Sequence, residues 1–297
     1  ADAPVDRETA ALVRVTTAQA LLKLLLTEGD KLAVAQLTTL EDQGGYALAS
    51  NYGSLVARTL FQPVEESARL EFSRVGGRDG GAGEPATSAA AALLTALLRV
   101  HVLLALGLVA LGPPLAHPFV YVVAGARWAE PPSAAAPILA SYCWYLPVMG
   151  INGVVEAFVQ SVAPPDVLAW YSRVLVGASA AFVGTLGAGH ALYAGHGAAL
   201  AAATGVGRES LLVLANLVGL GVRAAASWHY VRRFFGARVR VESLLPSWPA
   251  VAVLGVCAAV LRKRLPERGA PTADALGVAA ALLGAALATM YVVGRRS

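Results

Sequence analysis

Long apolar runs separated by short polar breaks dominate this chain. Pro131–Val155, Val174–Gly207, Ser243–Leu261 and Ala275–Gly294 contain no Asp, Glu, Lys or Arg at all. A bilayer-crossing helix needs about 20 predominantly apolar residues. The pattern predicts eight helices, over about residues 9–40, 45–75, 86–112, 134–163, 166–189, 206–235, 247–264 and 273–294. The first is expected to break at Gly29. The apolar stretch 115–126 is too short to span and reads as interfacial. The breakers fit these bounds. Gln43-Gly44-Gly45 ends the first segment, and Gly76-Gly77-Arg78-Asp79-Gly80-Gly81 ends the second. Pro164-Pro165-Asp166 makes a tight turn with Asp166 placed to cap the next helix. The glycine-rich run 187–207 reads as the link between the fifth and sixth helices.

Polar side chains inside these segments fall at helical spacings. In the second, Asn51, Ser54, Arg58, Gln62, Glu65 and Arg69 recur every three or four residues, which predicts one shared face around Pro63. The fourth carries Tyr145, Met149, Asn152, Glu156 and Gln160. Glu156 has no nearby cation on its own helix, so a partner from another helix is expected, Arg223 or Arg58. The sixth places Glu209, Asn216, Arg223 and Tyr230 seven apart, and the first carries Lys23 and Glu28. Charge inside a bilayer costs about 2.5–3.5 kcal/mol at a helix centre, so such groups should face a bundle interior or an aqueous cavity. Two roles fit these stripes: lining a cavity, or structural hydrogen-bonded locks between helices.

Composition strengthens the membrane reading. Hydrophobic residues make up 57% of 297 positions, charged residues 14%, and mean hydropathy is +0.60. A soluble domain carries about 25% charged residues, so the missing polar surface is replaced by lipid-facing surface. The fold class expected is an all-α, polytopic transmembrane helical bundle. Net charge is +4, but the cations sit at segment ends, as in Arg232, Arg233, Arg262, Lys263, Arg264, Arg295 and Arg296. That is membrane-flanking charge rather than a nucleic-acid patch. Eight Lys and Arg in the even-numbered loops and C-terminus against six in the odd loops point to a cytosolic C-terminus. Cys143 and Cys257 lie in apolar runs and suggest no disulfide framework. The chain opens at Ala1 with no signal-peptide apolar region, so a fragment or a processed chain is expected.

Catalytic signals are weak. The seven Asp residues are isolated, and no H-E-x-x-H, G-x-S-x-G or Walker loop occurs. His190 and His196 have no accompanying carboxylate or Cys to complete a metal site. No enzyme activity, metal or cofactor is expected.

Leu25-Leu26-Thr27-Glu28-Gly29, Gly53-Ser54-Leu55-Val56-Ala57-Arg58 and Gln62-Pro63-Val64-Glu65-Glu66-Ser67 resemble the eukaryotic oligosaccharide-diphosphodolichol translocation family. So do Ser141-Tyr142-Cys143, Ile151-Asn152-Gly153-Val154-Val155-Glu156 and the pattern from Ala215-Asn216 to His229-Tyr230. The likeness is strongest over 21–75 and 138–233. It implies the fold of the multidrug, oligosaccharidyl-lipid and polysaccharide exporter superfamily: two six-helix bundles plus two helices, in the endoplasmic reticulum membrane. Eight helices would match the second bundle (1–235) with the two last helices (236–297), leaving the N-terminal half as a missing partner. The implied substrate is dolichol-diphosphate oligosaccharide, moved between leaflets for N-glycosylation. Arg58, Arg69, Arg223 and Lys23 are then candidate diphosphate contacts. Glu65 and Glu156 would orient them or bind sugar, and Glu28, Asn51, Gln62, Asn152 and Asn216 would complete the cavity. Two alternatives stay open: a non-transporting scaffold of the dolichol pathway, and an ion-coupled small-molecule exporter.

Overall fold

The computed structural model describes residues 40–76, 84–204, 207–266 and 268–296, with Arg14 and Thr17 singly. The predicted first helix, with Lys23 and Glu28, lies outside the described residues. The rest is helical: α1 (Leu40–Val56), a π turn (Ala57–Phe61), α2 (Gln62–Gly76), α3 (Glu84–Ala124), the short α4 (Ala126–Ala129), α5 (Ala135–Val162), α6 (Pro165–Thr204), α7 (Leu211–Phe235), α8 (Trp248–Arg264) and α9 (Ala273–Arg296). Five stretches among the described residues are long and apolar enough to cross a membrane: Pro85–Ala124, Ala135–Val162, Pro165–Ala203, Arg208–Arg238 and Ala273–Val292. The chain is an all-α, multi-pass membrane bundle.

Four sequence expectations need correction. Gln43-Gly44-Gly45 does not mark a break, because α1 runs through it from Leu40 to Val56. The stretch 115–126 is not a separate interfacial segment, because α3 runs unbroken through Pro113, Pro114 and Pro118. Membrane helices tolerate such prolines where neighbouring groups satisfy the freed carbonyls. The glycine-rich run 187–207 is not simply a link. α6 continues to Thr204, kinked where His196 leaves helical geometry between two glycines (φ −137°, ψ 22°). Asp166 sits inside the first turn of α6 rather than before it, behind Pro165 at the first helical position. There its charge opposes the helix dipole.

α5 is the hub of the bundle, packed by α1, α2, α3 and α7, while α6 lies on α7. Its buried face supplies Val154, Val155 and Phe158 to a core with Phe72, Leu94 and Phe235. Phe158 meets Phe72 edge-on at 5.2 Å. Nearer the start of α5, Ile138, Tyr142 and Leu146 pack with Ala49 and Val120. Close approaches are made at glycines: a Cβ on Gly53 would run into the Tyr142 ring, and one on Gly112 into the Cys143 sulfur. Lipid is as apolar as these side chains, so the helices are held by tight contact and polar bonds rather than by escape from water. α8 and α9 pack on each other and on α3 through a separate cluster that includes Leu111, Leu254, Leu261 and Ala279.

Candidate functional site

The π turn decides which polar residues of the second segment reach the bundle. Pro63 lacks an N–H and cannot continue the regular ladder. Just before it the helix loosens, and the Gln62 N–H bonds the Ala57 carbonyl five residues back. The extra residue per turn rotates the stripe. The six residues therefore do not form one inward face: Asn51, Arg58, Gln62 and Arg69 are exposed, and Ser54 and Glu65 are partly covered. Phe61 turns inward instead, against His101 and α5 at Gly150. Arg58 folds back on its own helix, donating to the carbonyl and hydroxyl of Ser54 at 3.2 and 3.0 Å. It is not the partner of Glu156.

That partner is Arg223. Its Nη2 lies 2.6 Å from Glu156 Oε2, joining α7 to α5. Asn152 Nδ2 donates to the same oxygen at 2.9 Å, and Gln160 Nε2 donates to Glu156 Oε1 at 2.7 Å. The 152–156–160 spacing stacks these three side chains on one face of α5. Arg69 then extends the chain of bonds to α2, its Nη1 donating to Gln160 Oε1 at 2.6 Å. Glu65 is brought beside the same network, because its carboxylate lies where a Cβ of Gly153 would stand, within electrostatic range of both Glu156 and Arg69. Arg223 also reaches the Tyr171 hydroxyl of α6, which accepts from Ser227 Oγ at 3.0 Å. Glu156 is 8% exposed and Arg223 31%. The cation therefore stands at the edge of the cluster and the carboxylate inside it. Arg223 Nε and Asn152 Oδ1 are buried with no hydrogen-bond partner among the described residues.

Of the sequence candidates, Glu65, Arg69, Asn152, Glu156 and Arg223 thus converge on one network across α2, α5 and α7. Asn216 does not join it. It bonds the Tyr46 hydroxyl and the Leu212 carbonyl, closer to the start of α7. Asn51, Arg58 and Gln62 lie outside the network on the exposed side of the same rod. Sequence reasoning placed Gln160 on the stripe but not among the site residues, and it missed Tyr171, Ser227 and Gly153. Gly153 had a readable signal, a glycine three residues before a buried acid in a helix. Ser227 had one as well, four residues after Arg223 on the same helical face. Tyr171, beside Ser172 and Arg173, falls on no stripe that the sequence marks.

A second polar junction lies in the loops at the opposite end of α5. Glu130 Oε1 accepts from the Gly269 N–H at 2.6 Å and contacts His117 Nε2 at 3.1 Å. Gly269 has φ +80°, a conformation that suits only glycine well. The Gly269 N–H, more than His117, holds the Glu130 carboxyl below the usual carboxylate range.

Among known proteins, the model of the Rft protein family matches residues 2–297. The chain is 34% identical over 258 residues to "Man(5)GlcNAc(2)-PP-dolichol translocation protein RFT1" of Yarrowia lipolytica, covering 84% of this chain and 36% of that protein. It is 32% identical over 249 residues to the protein of the same name from Xenopus tropicalis, covering 82% and 43%. It is 36% identical over 165 residues to that of Saccharomyces cerevisiae, covering 56% and 28%. The chain thus spans about a third of the length of the curated relatives it matches. No solved structure matches it. By the extent of these matches, the chain belongs to the Rft protein family.

Proposed function

We propose that this chain is a membrane-embedded part of the machinery that moves Man5GlcNAc2-PP-dolichol across the endoplasmic reticulum membrane for N-glycosylation. The names of its relatives supply the substrate. The observation that carries the reading onto this chain is the Glu156–Arg223 pair, with Arg69 beside it, set among apolar helices. A translocation path must shield a diphosphate and a sugar chain from lipid while the dolichol tail stays in lipid. A guanidinium presented at the edge of a bundle, backed by a fixed carboxylate, suits a diphosphate. Exposed Asn51, Arg58 and Gln62 would continue the polar wall along α1 and α2, with Lys23 and Glu28 as further members. In this reading residues 1–235 form one bundle, residues 236–297 an appended pair, and the C-terminus is cytosolic.

A second reading, a non-transporting scaffold, is favoured by the way Arg69, Gln160, Glu156, Asn152 and Arg223 bond one another. Complementation in the full-length gene context separates the two, scored for both protein abundance and N-glycan occupancy. The path reading expects Arg69→Ala and Arg58→Ala to lower occupancy at near-normal abundance. The scaffold reading expects occupancy to fall only in step with abundance. Normal occupancy and abundance in both variants would remove these residues from the site.

A further inference from the structure

The connector between α7 and α8 carries a cationic feature that the polar network does not use. After α7 the backbone becomes extended at Val239 (φ −111°, ψ 106°) and Arg240 (φ −107°, ψ 136°). Successive side chains then point to opposite sides. Val239 is buried at 3% exposure in the core with Leu94 and Phe235, and Arg238 and Arg240 both face outward. Val239 is the peg that fixes the two arginines. Arg99 of α3 joins them, its Nε donating to the Ser243 carbonyl at 2.5 Å. Arg99, Arg238, Arg240, Ser88, Thr95 and Ser243 line one cavity of about 540 Å³, with alanines of α3 leaving the room.

Arg99 is shared with a second cavity, of about 730 Å³, between α3, α8 and α9. Its walls include Leu103, Leu244, Leu245, Val253 and Val292. Leu103 lies one turn further along α3 than Arg99, and Val253 lies five residues into α8. The second cavity therefore leads from the arginines toward the interior of the bundle's span. The connector itself lies where α7 ends and α8 begins. It is marked by exposed Arg232 and Arg233 and by Trp248, 78% exposed, the residue types of a membrane–water interface.

A cation pocket at headgroup level, opening into an apolar groove of acyl-chain character, is complementary to one kind of molecule. We propose that Arg99, Arg238 and Arg240 bind the phosphate of an anionic phospholipid of the surrounding bilayer, and that one of its acyl chains lies in the groove between α3, α8 and α9. Arginine suits this because its planar fork pairs with two phosphate oxygens. The site lies on α3 and the connector, not on the α2–α5–α7 network, and it does not depend on the transport reading. Beside the α8–α9 pair, the lipid would act as a wedge holding that pair on α3.

The test uses the purified full-length protein, stripped of lipid in neutral detergent. It is titrated separately with phosphatidylinositol, phosphatidylcholine, dolichyl diphosphate and inorganic phosphate, with binding read by native mass spectrometry. The expected result is preferential retention of phosphatidylinositol. Arg238→Ala with Arg240→Ala should weaken it on the order of tenfold or more, as for two cations lost at a lipid surface. Because both side chains are exposed, the double variant should fold, and unchanged phosphatidylcholine retention checks that it has. Val253→Trp, which fills the groove, should weaken phosphatidylinositol without touching the arginines. Arg127→Ala, in α4 away from this connector, should leave binding unchanged. Equal retention of phosphatidylinositol and phosphatidylcholine, or wild-type affinity in the double variant, would overturn the site. Preferential capture of dolichyl diphosphate would overturn the assignment to bilayer phospholipid. So would displacement by inorganic phosphate together with indifference to Val253→Trp.

Discussion

At the scale of single residues, the network is organised by one carboxylate. Glu156 accepts from α5 itself through Asn152 and Gln160 and from α7 through Arg223. Removing one partner of a buried pair leaves an uncompensated charge, at a cost of about 3–5 kcal/mol. Arg223 keeps a third of its side chain exposed, so Glu156→Ala should fall near the lower figure. The double change Glu156→Gln with Arg223→Gln should cost less than the sum of its parts. Thermal unfolding in detergent, run as a double-mutant cycle, checks both. Gly153→Ala makes a different prediction. Its Cβ would displace the flexible end of Glu65, so the protein should stay abundant while occupancy of N-glycan sites falls. Equal loss of abundance would assign Gly153 to packing alone. Glu156 was legible in the sequence because an acid in an apolar helix without its own cation demands a partner elsewhere. Arg58 and Arg223 were equivalent candidates by that logic. The π turn, which rotates Arg58 outward, separates them, and its effect on register depends on local hydrogen bonding that spacing alone does not encode.

At the scale of elements, helix contacts are set by small residues. A Cβ on Gly219 of α7 would stand 3.0 Å from the Ala178 carbonyl oxygen of α6, whereas one on Gly221 would meet nothing within 4 Å among the described residues. Backbone cannot yield as a side chain tip does. Gly219→Ala should therefore push α6 from α7 and lower the melting temperature. Gly221→Ala should be neutral or stabilising by roughly 0.5–1 kcal/mol, the usual cost of glycine in a helix. The same thermal assay distinguishes them. The loop junction at Glu130 predicts a pH effect. Its folded carboxyl titrates below its ordinary value, so the contact stabilises at neutral pH and is lost as pH falls through that lowered value. The protection of the Gly269 amide, taken relative to its intrinsic exchange rate at each pH, should fall on acidification in wild type, and Glu130→Ala should show little protection at any pH. Most helix positions among the described residues were legible from apolar runs and breakers, although Gln43-Gly44-Gly45 lies inside α1. The continuity of α3 through three prolines was not, since soluble-protein breaker rules treat prolines as ends, whereas neighbouring helices can support them in a membrane. In α6 the Gly195-His196-Gly197 breaker does interrupt the helix, at the His196 kink.

At the scale of the whole molecule, two kinds of surface stand out. One is the polar side of the α1–α2 rod with the Arg223 edge. The other is apolar, as at Leu287 of α9, 63% exposed. The membrane class was readable from hydropathy alone, whereas the meeting of α2, α5 and α7 required the fold. The central claim is that the polar side contacts the translocated lipid-linked oligosaccharide. The most direct test is photocrosslinking in microsomes carrying the full-length protein, with a photoreactive residue at Gln62 or, separately, at Leu287. The account predicts adducts with dolichol-diphosphate oligosaccharide from position 62 well above those from position 287, and their loss when Arg223→Ala is added. Equal adduct yields from the two positions would contradict it.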